Sequence, residues 1–180
     1  MSRTSTLAQL SLSELATPTG TMLIVTDDEY RVRALDWSDY ADRMQRLLRL
    51  HYGKEGVGYA LQSHPLPSLI RHALDAYFAG DLAAIDRIPV HTGGTEFQRK
   101  VWRALRTIPA GRTLTYSGLA LQLGQPTAVR AVGLANGANP IGVVVPCHRV
   151  IGANGSLTGY GGGLARKQWL LAHEGVMLKL

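Results

Sequence analysis

The sequence predicts two domains: an α/β domain over residues 1–90, a small sheet with helices, followed by a mainly α-helical domain over 91–180. Three observations carry this expectation. Strand-like segments are confined to the first half, at 21–26 (TMLIVT) and 31–37 (RVRALDW). The stretch 89–95 (PVHTGGT) has the Pro and Gly of a linker. The charge also changes there: residues 1–96 hold nine basic and twelve acidic side chains, while 97–180 hold ten basic side chains and one acid, Glu174.

Each element follows from its local pattern. The two strands flank an Asp27-Asp28-Glu29 turn. In 39–51, Tyr40, Met44, Leu47 and Leu48 recur at helical spacing, with Gly53 as a stop. In 66–78, Leu69, Ile70, Ala73, Leu74 and Tyr77 form one apolar stripe, with Gly80 behind it. Thr95 can cap a helix over 96–107 that turns Phe97, Val101, Ala104, Leu105 and Ile108 inward. Pro109-Ala110-Gly111 reverses the chain. Residues 116–123 read as a short helix ended by Gly124, and 126–136 as a second, with Pro126 in its first turn. Two short helices joined by a Gly-containing turn make a helix-turn-helix pattern, which any pair of antiparallel helices resembles.

Composition excludes several classes. With 180 residues, 46% hydrophobic, the chain is long enough for one domain or two small ones and too apolar to be disordered. One Cys cannot form an internal disulfide. No apolar run approaches the roughly 20 residues of a membrane-spanning helix, and Ser, Thr, Gln and Glu interrupt the first twenty residues. The expectation is a cytoplasmic protein with a reduced thiol and no membrane contact. The net charge of +6, concentrated in the second half, points either to a polyanion such as nucleic acid or to a solvated basic face.

Two features suggest chemistry. In 126–136, Pro126, Arg130, Gly133 and Gly137 share a stripe, and Arg130 is its only charge. Glycine inside a helix costs about 1 kcal/mol relative to Ala, and close approach of another backbone, protein or DNA, is one reason to tolerate it. Arg130 is then either an ordinary surface residue or a side chain that enters DNA. The second feature is 143–150 (VVVPCHRV). Cys147 is a small buried hydrophobe or a nucleophile, and His148 and Arg149 favour the thiolate. In an extended chain neighbouring side chains diverge, so His148 acts through a water or a turn. Residues 164–173 read as a helix, with Leu164, Gln168, Leu171 and Glu174 on one stripe and Leu170 beside it. Glu174 on an apolar face needs a partner. His148 is one candidate, giving a relay from Glu174 through His148 to Cys147; the alternative is a helix-end Glu beside Arg166 or Lys167.

These residues resemble the O6-alkylguanine-DNA alkyltransferases. The likeness rests on PCHRV at 146–150, Asn139-Pro140, Thr158-Gly-Tyr160-Gly-Gly-Gly and LLAHEG at 170–175, and extends through FQRKVWRALRTIPAG at 97–111, Tyr116 and AVRAVGLANGANP at 128–140. ATPTGTM at 16–22 and AYFAGDL at 76–82 resemble the single-function bacterial members. The resemblance implies a ribonuclease-H-like N-terminal domain and a winged-helix-like C-terminal one. It implies irreversible transfer of a methyl or other alkyl group from guanine O6, and from thymine O4, to Cys147, without cofactor or metal. His148 and Glu174 would serve the proton relay, and Asn139 would hold the active-site turn. Tyr116 would rotate the nucleotide and donate to guanine N3. Arg130 would fill the vacated stack, with Ala131 and Gly133 against the DNA. The carbonyls of Cys147 and Val150 would accept from the guanine amine, and the N–H groups of Gly161 and Tyr160 would face O6. The partner would be double-stranded DNA containing O6-alkylguanine, bound in the minor groove by a monomer able to cluster along it.

Two departures stand out. Gly161 replaces a Ser of some members and Gly142 a second Pro, which predicts a larger, softer pocket. A single Cys argues against a regulatory N-terminal Cys segment and a Cys-dependent zinc site. Competing readings are a non-catalytic lesion-binding module, whose pattern replaces the Cys, and a cysteine hydrolase with a Cys-His-Glu triad.

Overall fold

The computed structural model describes residues 7–53 and 58–178; the extreme ends of the predicted domain ranges lie outside them. β1 (Ala8–Thr17) and β2 (Gly20–Thr26) form a hairpin, and β3 (Val32–Trp37) extends it antiparallel. After α1 (Ala41–Tyr52), β4 (Tyr59–Ser63) returns parallel to β1, so the sheet order is β3-β2-β1-β4. Alternation along β2 and β3 sends apolar side chains to both faces, and both are covered, which is why β2 reads as an unbroken apolar run. Leu23, Val25 and Ala34 pack with Met44 and Leu48 of α1 on one face. Met22, Ile24, Leu35 and Trp37 face the other way, against Ile70, Leu74 and Tyr77 of α2 (Ser68–Phe78).

That second core continues into the C-terminal half. It takes in Val101, Trp102 and Leu105 of α3 (Glu96–Leu105), Leu119 of α4 (Tyr116–Gln122), Val132 and Ala135 of α5 (Val129–Gly137) and Leu170 of α6 (Leu164–His173). α3 starts as expected: Thr95 Oγ1 accepts from Gln98 N and Gln98 Oε1 from Thr95 N, a reciprocal cap. Thr115 caps α4 through Gly118 N. A short parallel pair, β5 (Leu114–Thr115) with β6 (Val150–Ile151), joins the entrance of α4 to the segment after Cys147. The two-domain architecture with a helix-turn-helix over α4 and α5 is as the sequence predicts.

The halves are joined at the edge of the sheet. An exposed edge strand presents unpaired backbone groups, and β3 pairs its own with the linker at 89–91 and with the loop at 140–142. Val32 N donates to Pro89 O and His91 N to Val32 O; Leu35 N donates to Pro140 O and Gly142 N to Leu35 O. The loop leading to Cys147 is thus hydrogen-bonded to the N-terminal sheet.

Several expectations need correction. The sequence expectation lacks β1 and β4; in β1 the alternation Gln9-Leu10-Ser11-Leu12-Ser13 is the strand signal, short and interrupted by polar residues. Leu69 is 58% exposed, because α2 begins at Ser68 and buries Ile70, Ala73, Leu74 and Tyr77. Pro126 lies in a turn before α5, with Ala128 N donating to Gln125 O. In α6 the buried stripe is Lys167, Leu170, Leu171 and Glu174, while Leu164 and Gln168 face solvent.

Gly142 matters for its N–H. A Gly142→Pro variant loses the bond to Leu35 O, worth about 1 kcal/mol. Thermal melting should fall by about 2–4 °C; an unchanged midpoint would show that this edge pairing contributes nothing.

Candidate active site

The route to Cys147 is a tight, strained path. Val143 sits at φ +66°, a rare conformation for a β-branched residue. Such strain costs on the order of 1–3 kcal/mol and persists where surroundings enforce it. Asn139 enforces it here: its Nδ2 donates to Val145 O (2.8 Å) and Ile141 O (3.3 Å), and its Oδ1 accepts from Ile141 N (2.9 Å). Residues 147–149 then form one turn of 3-10 helix, so Cys147 and His148 leave a turn rather than an extended strand.

Glu174 holds that turn from behind. His148 Nε2 lies 2.8 Å from Glu174 Oε1; Arg149 Nε donates to Oε2 (2.9 Å) and its Nη2 to Oε1 (2.8 Å); Tyr77 Oη donates to Oε1 (2.8 Å). Burial alone would raise the Glu174 pKa, but the bonds from His148 and Arg149 overcome it and hold the group well below the usual carboxylate range. An ionised carboxylate only accepts, so His148 Nε2 carries the hydrogen and Nδ1 the lone pair. Nδ1 is buried with no partner among the described residues. Burial pushes the His148 pKa down, against the pull of Glu174, which keeps the ring neutral and able to accept a proton. The relay partner expected for Glu174 is therefore in place, and Arg149, not Arg166 or Lys167, is its cation. Arg149 is committed to Glu174 and to Ile108 O rather than to the thiol.

Cys147 opens on a cavity of about 310 Å³ built by both halves: Asp36, Trp37 and Arg43 on one side, Tyr116, Asn136 and Asn139 with 159–162 on the other. Burial raises the thiol pKa, while Asn139, Arg43 and Lys167 pull it down less strongly, so the resting group is a thiol. Besides His148 Nδ1, two buried polar atoms of this neighbourhood lack partners among the described residues, Asn136 Oδ1 and Tyr160 Oη. Such atoms mark places for a water or a ligand.

The other anticipated residues divide. Tyr116 lines the cavity, and its hydroxyl accepts from Thr158 Oγ1 (3.0 Å), leaving its own hydrogen to donate. Tyr160, Gly161 and Gly133 also line it. Val150 O already accepts from the buried Lys167 Nζ (2.7 Å), which also donates to Thr158 O (2.9 Å) and pins the loop between them. Arg130 and Ala131 are exposed on α5, away from the cavity lining. A Cβ at Gly137 would meet nothing within 4 Å, and one at Gly133 only the Tyr116 ring at 3.8 Å, so packing within the chain does not demand these glycines.

Sequence reasoning missed the contribution of the N-terminal half. Arg43 Nη1 donates to Asp36 Oδ2 (2.9 Å) and Nη2 to Gly137 O (2.9 Å) and Asn139 O (3.2 Å), tying α1 to the end of α5. Trp37 fills the space beside Gly162, where a Cβ would collide with its ring. No local periodicity distinguishes these residues from core and surface positions.

Comparison with known proteins settles the class. A family model described as 6-O-methylguanine DNA methyltransferase, ribonuclease-like domain, matches residues 12–92, and one described as 6-O-methylguanine DNA methyltransferase, DNA binding domain, matches 96–176. The chain belongs to the 6-O-methylguanine DNA methyltransferase family. It is 56% identical to the methylated-DNA–protein-cysteine methyltransferase of Salmonella typhimurium over 165 residues, 92% of this chain and 95% of that one. The structure of Mycobacterium tuberculosis OGT in complex with DNA superposes with a TM-score of 0.73 at 38% identity, covering 91% and 92% of the two chains. The O6-methylguanine-DNA methyltransferase of Pyrococcus kodakaraensis gives 0.67 at 28%, covering 93% and 99%. The activity of this methyltransferase is DNA repair by alkyl transfer to a cysteine, and it binds DNA carrying alkylated guanine. Among the described residues no helix is long and apolar enough to cross a membrane.

The expected softening at Gly161 is overturned. A Cβ there would lie 2.8 Å from the Arg43 guanidinium, so the volume released by the missing side chain is occupied by an arginine from the other half. Gly161→Ser should therefore destabilise the methyltransferase in the wild-type background and much less in Arg43→Ala. A double-mutant cycle should give a coupling of about 0.5–3 kcal/mol; additive melting shifts would remove Arg43 from that space.

Proposed function

We propose that Cys147 is the acceptor and that each molecule acts once. The observation that carries this reading is the cluster Glu174, His148 and Cys147, with a neutral imidazole whose free nitrogen is Nδ1. The thiol loses its proton through a water to Nδ1 as the alkylated base arrives. Glu174 stabilises the imidazolium that forms. The sulfur displaces the alkyl carbon from guanine O6: the S–C bond forms, the C–O6 bond breaks, and its electron pair stays on the base. Tyr116, its hydroxyl oriented by Thr158, donates to N3 as that charge develops, and the N–H of Gly161 or Tyr160 faces O6. The Cys147 carbonyl and the second lone pair of the Val150 carbonyl accept from the exocyclic amine. Thymine O4 is reached by the same displacement. The thioether product has no leaving group, so the step is irreversible.

To reach the cavity the nucleotide leaves the duplex. Arg130, exposed on α5, fills the vacated stack, and α5 lies in the minor groove with Ala131 and Gly133 against the sugar-phosphate edge. The open space beside Gly137 and the small residues of this helix support a close approach. We take residues 1–90 and 91–180 as the domains, the protein as a monomer able to cluster along DNA, and the reducing cytoplasm as its compartment.

Incubation with DNA bearing O6-[methyl-³H]guanine should leave one label per chain, and Cys147→Ser none, with duplex binding retained. A second turnover, or label on the Ser variant, refutes the assignment.

Arg130→Ala should slow repair of duplex DNA far more than reaction with free O6-methylguanine, because only the duplex requires opening a stack, a cost of a few kcal/mol. Equal losses on the two substrates would make Arg130 structural.

A further inference from the structure

We propose that the outer face of α1 is a second DNA-binding surface, on which Arg46 and Arg49 hold backbone phosphates of the duplex beside the stretch engaged by α5. The proposal rests on α5 being the DNA-facing helix. Arg43, Arg46 and Arg49 recur every three residues and so share one side of α1. Arg43 turns inward to Asp36 and the end of α5, whereas Arg46 and Arg49 are exposed and form no ion pair among the described residues. Arg46 lines a groove of about 580 Å³ with Leu47 and Leu50 on one wall and Gly133, Leu134 and Gly137 of α5 on the other. The Arg46 guanidinium thus stands across this groove from the small-residue side of α5.

The charge balance of the N-terminal half sharpens the point. Its acids exceed its bases, yet Asp27 is paired with Arg31 and Arg33, Asp36 with Arg43, Asp39 with Arg166 and Asp81 with Arg87. Asp42 is the one carboxylate lining the surface shared by Arg43, Arg46 and Arg49. Unpaired guanidiniums beside a helix that meets DNA fit phosphate, which they bind through a planar fork of donors. The minor groove is about 6 Å wide, so a helix lying in it has a phosphate strand along each flank, and α1 stands on one of them.

The test is the salt dependence of binding to a long duplex. Each phosphate contact contributes about −0.9 to the slope of log K against log salt. Arg46→Gln/Arg49→Gln should make the slope shallower by about 1–2 and weaken binding about tenfold or more at 0.1 M salt. Reaction with free O6-methylguanine should be unchanged, since neither residue touches the cavity around Cys147. Each single variant should give about half the shift, and Arg46→Lys/Arg49→Lys should retain the wild-type slope. Arg71→Gln/Arg87→Gln makes the same change of charge on α2 and after it, beyond the opposite face of the sheet. A wild-type slope in the α1 variants, or an equal shift in the Arg71/Arg87 control, overturns the proposal. Failure of α5 to face DNA would instead appear as an Arg130→Ala variant with normal duplex repair.

Discussion

A single buried carboxylate organises this protein. Glu174, 3% exposed, accepts from His148 and Arg149 of the active-site turn and from Tyr77 of α2. An ionised carboxylate away from water is tolerable only when its lone pairs are met, and removing one partner from such a group costs about 3–5 kcal/mol. The same contacts therefore close the C-terminal helix onto the turn, join the two halves through Tyr77, and fix which nitrogen of His148 is free.

The electrostatics of Cys147 follow from that closure. Cys147 is buried, which raises its pKa, and its neighbouring Arg149 is spent on Glu174. A permanently ionised sulfur would need strong local compensation; burial instead pushes the Cys147 thiol up and the His148 imidazole down, which favours the neutral form of both. On the proposed reading, deprotonation is coupled to the arrival of a substrate that consumes the thiolate. A protein that acts once, as proposed, gains from this arrangement, because a resting thiolate is also the form that oxidants and adventitious electrophiles attack.

The N-terminal half supplies part of the candidate site. Its edge strand β3 is completed by the backbone at Pro140 and Gly142, and Arg43 carries that joint to the ends of α5 and the Asn139 turn. Gly161 and Gly162 are small because Arg43 and Trp37 occupy the adjacent space. Pocket shape is consequently set by contacts between residues more than ninety positions apart.

How much was legible varies with the range of the forces involved. Thr95 and Gln98, the β2 run and the helical stripe of α3 follow from neighbours within a few residues, and the sequence specifies them directly. The Cys-His pair and the lone acid of the basic half also stood out, because chemistry that needs a nucleophile, a base and its counter-charge leaves few residue types available. What escaped were β1 and β4, whose pairing depends on partners elsewhere in the sheet. Equally hidden were the exposure of Leu69 and Leu164, set by which face each helix turns to the core, and the reach of Arg43 into the cavity. The sequence by itself determined the local elements and the residue types gathered at the candidate site. The tertiary structure alone decided the tautomer of His148, the partner of Arg149 and the walls of the pocket, because desolvation and long-range packing exist only once distant segments are brought together.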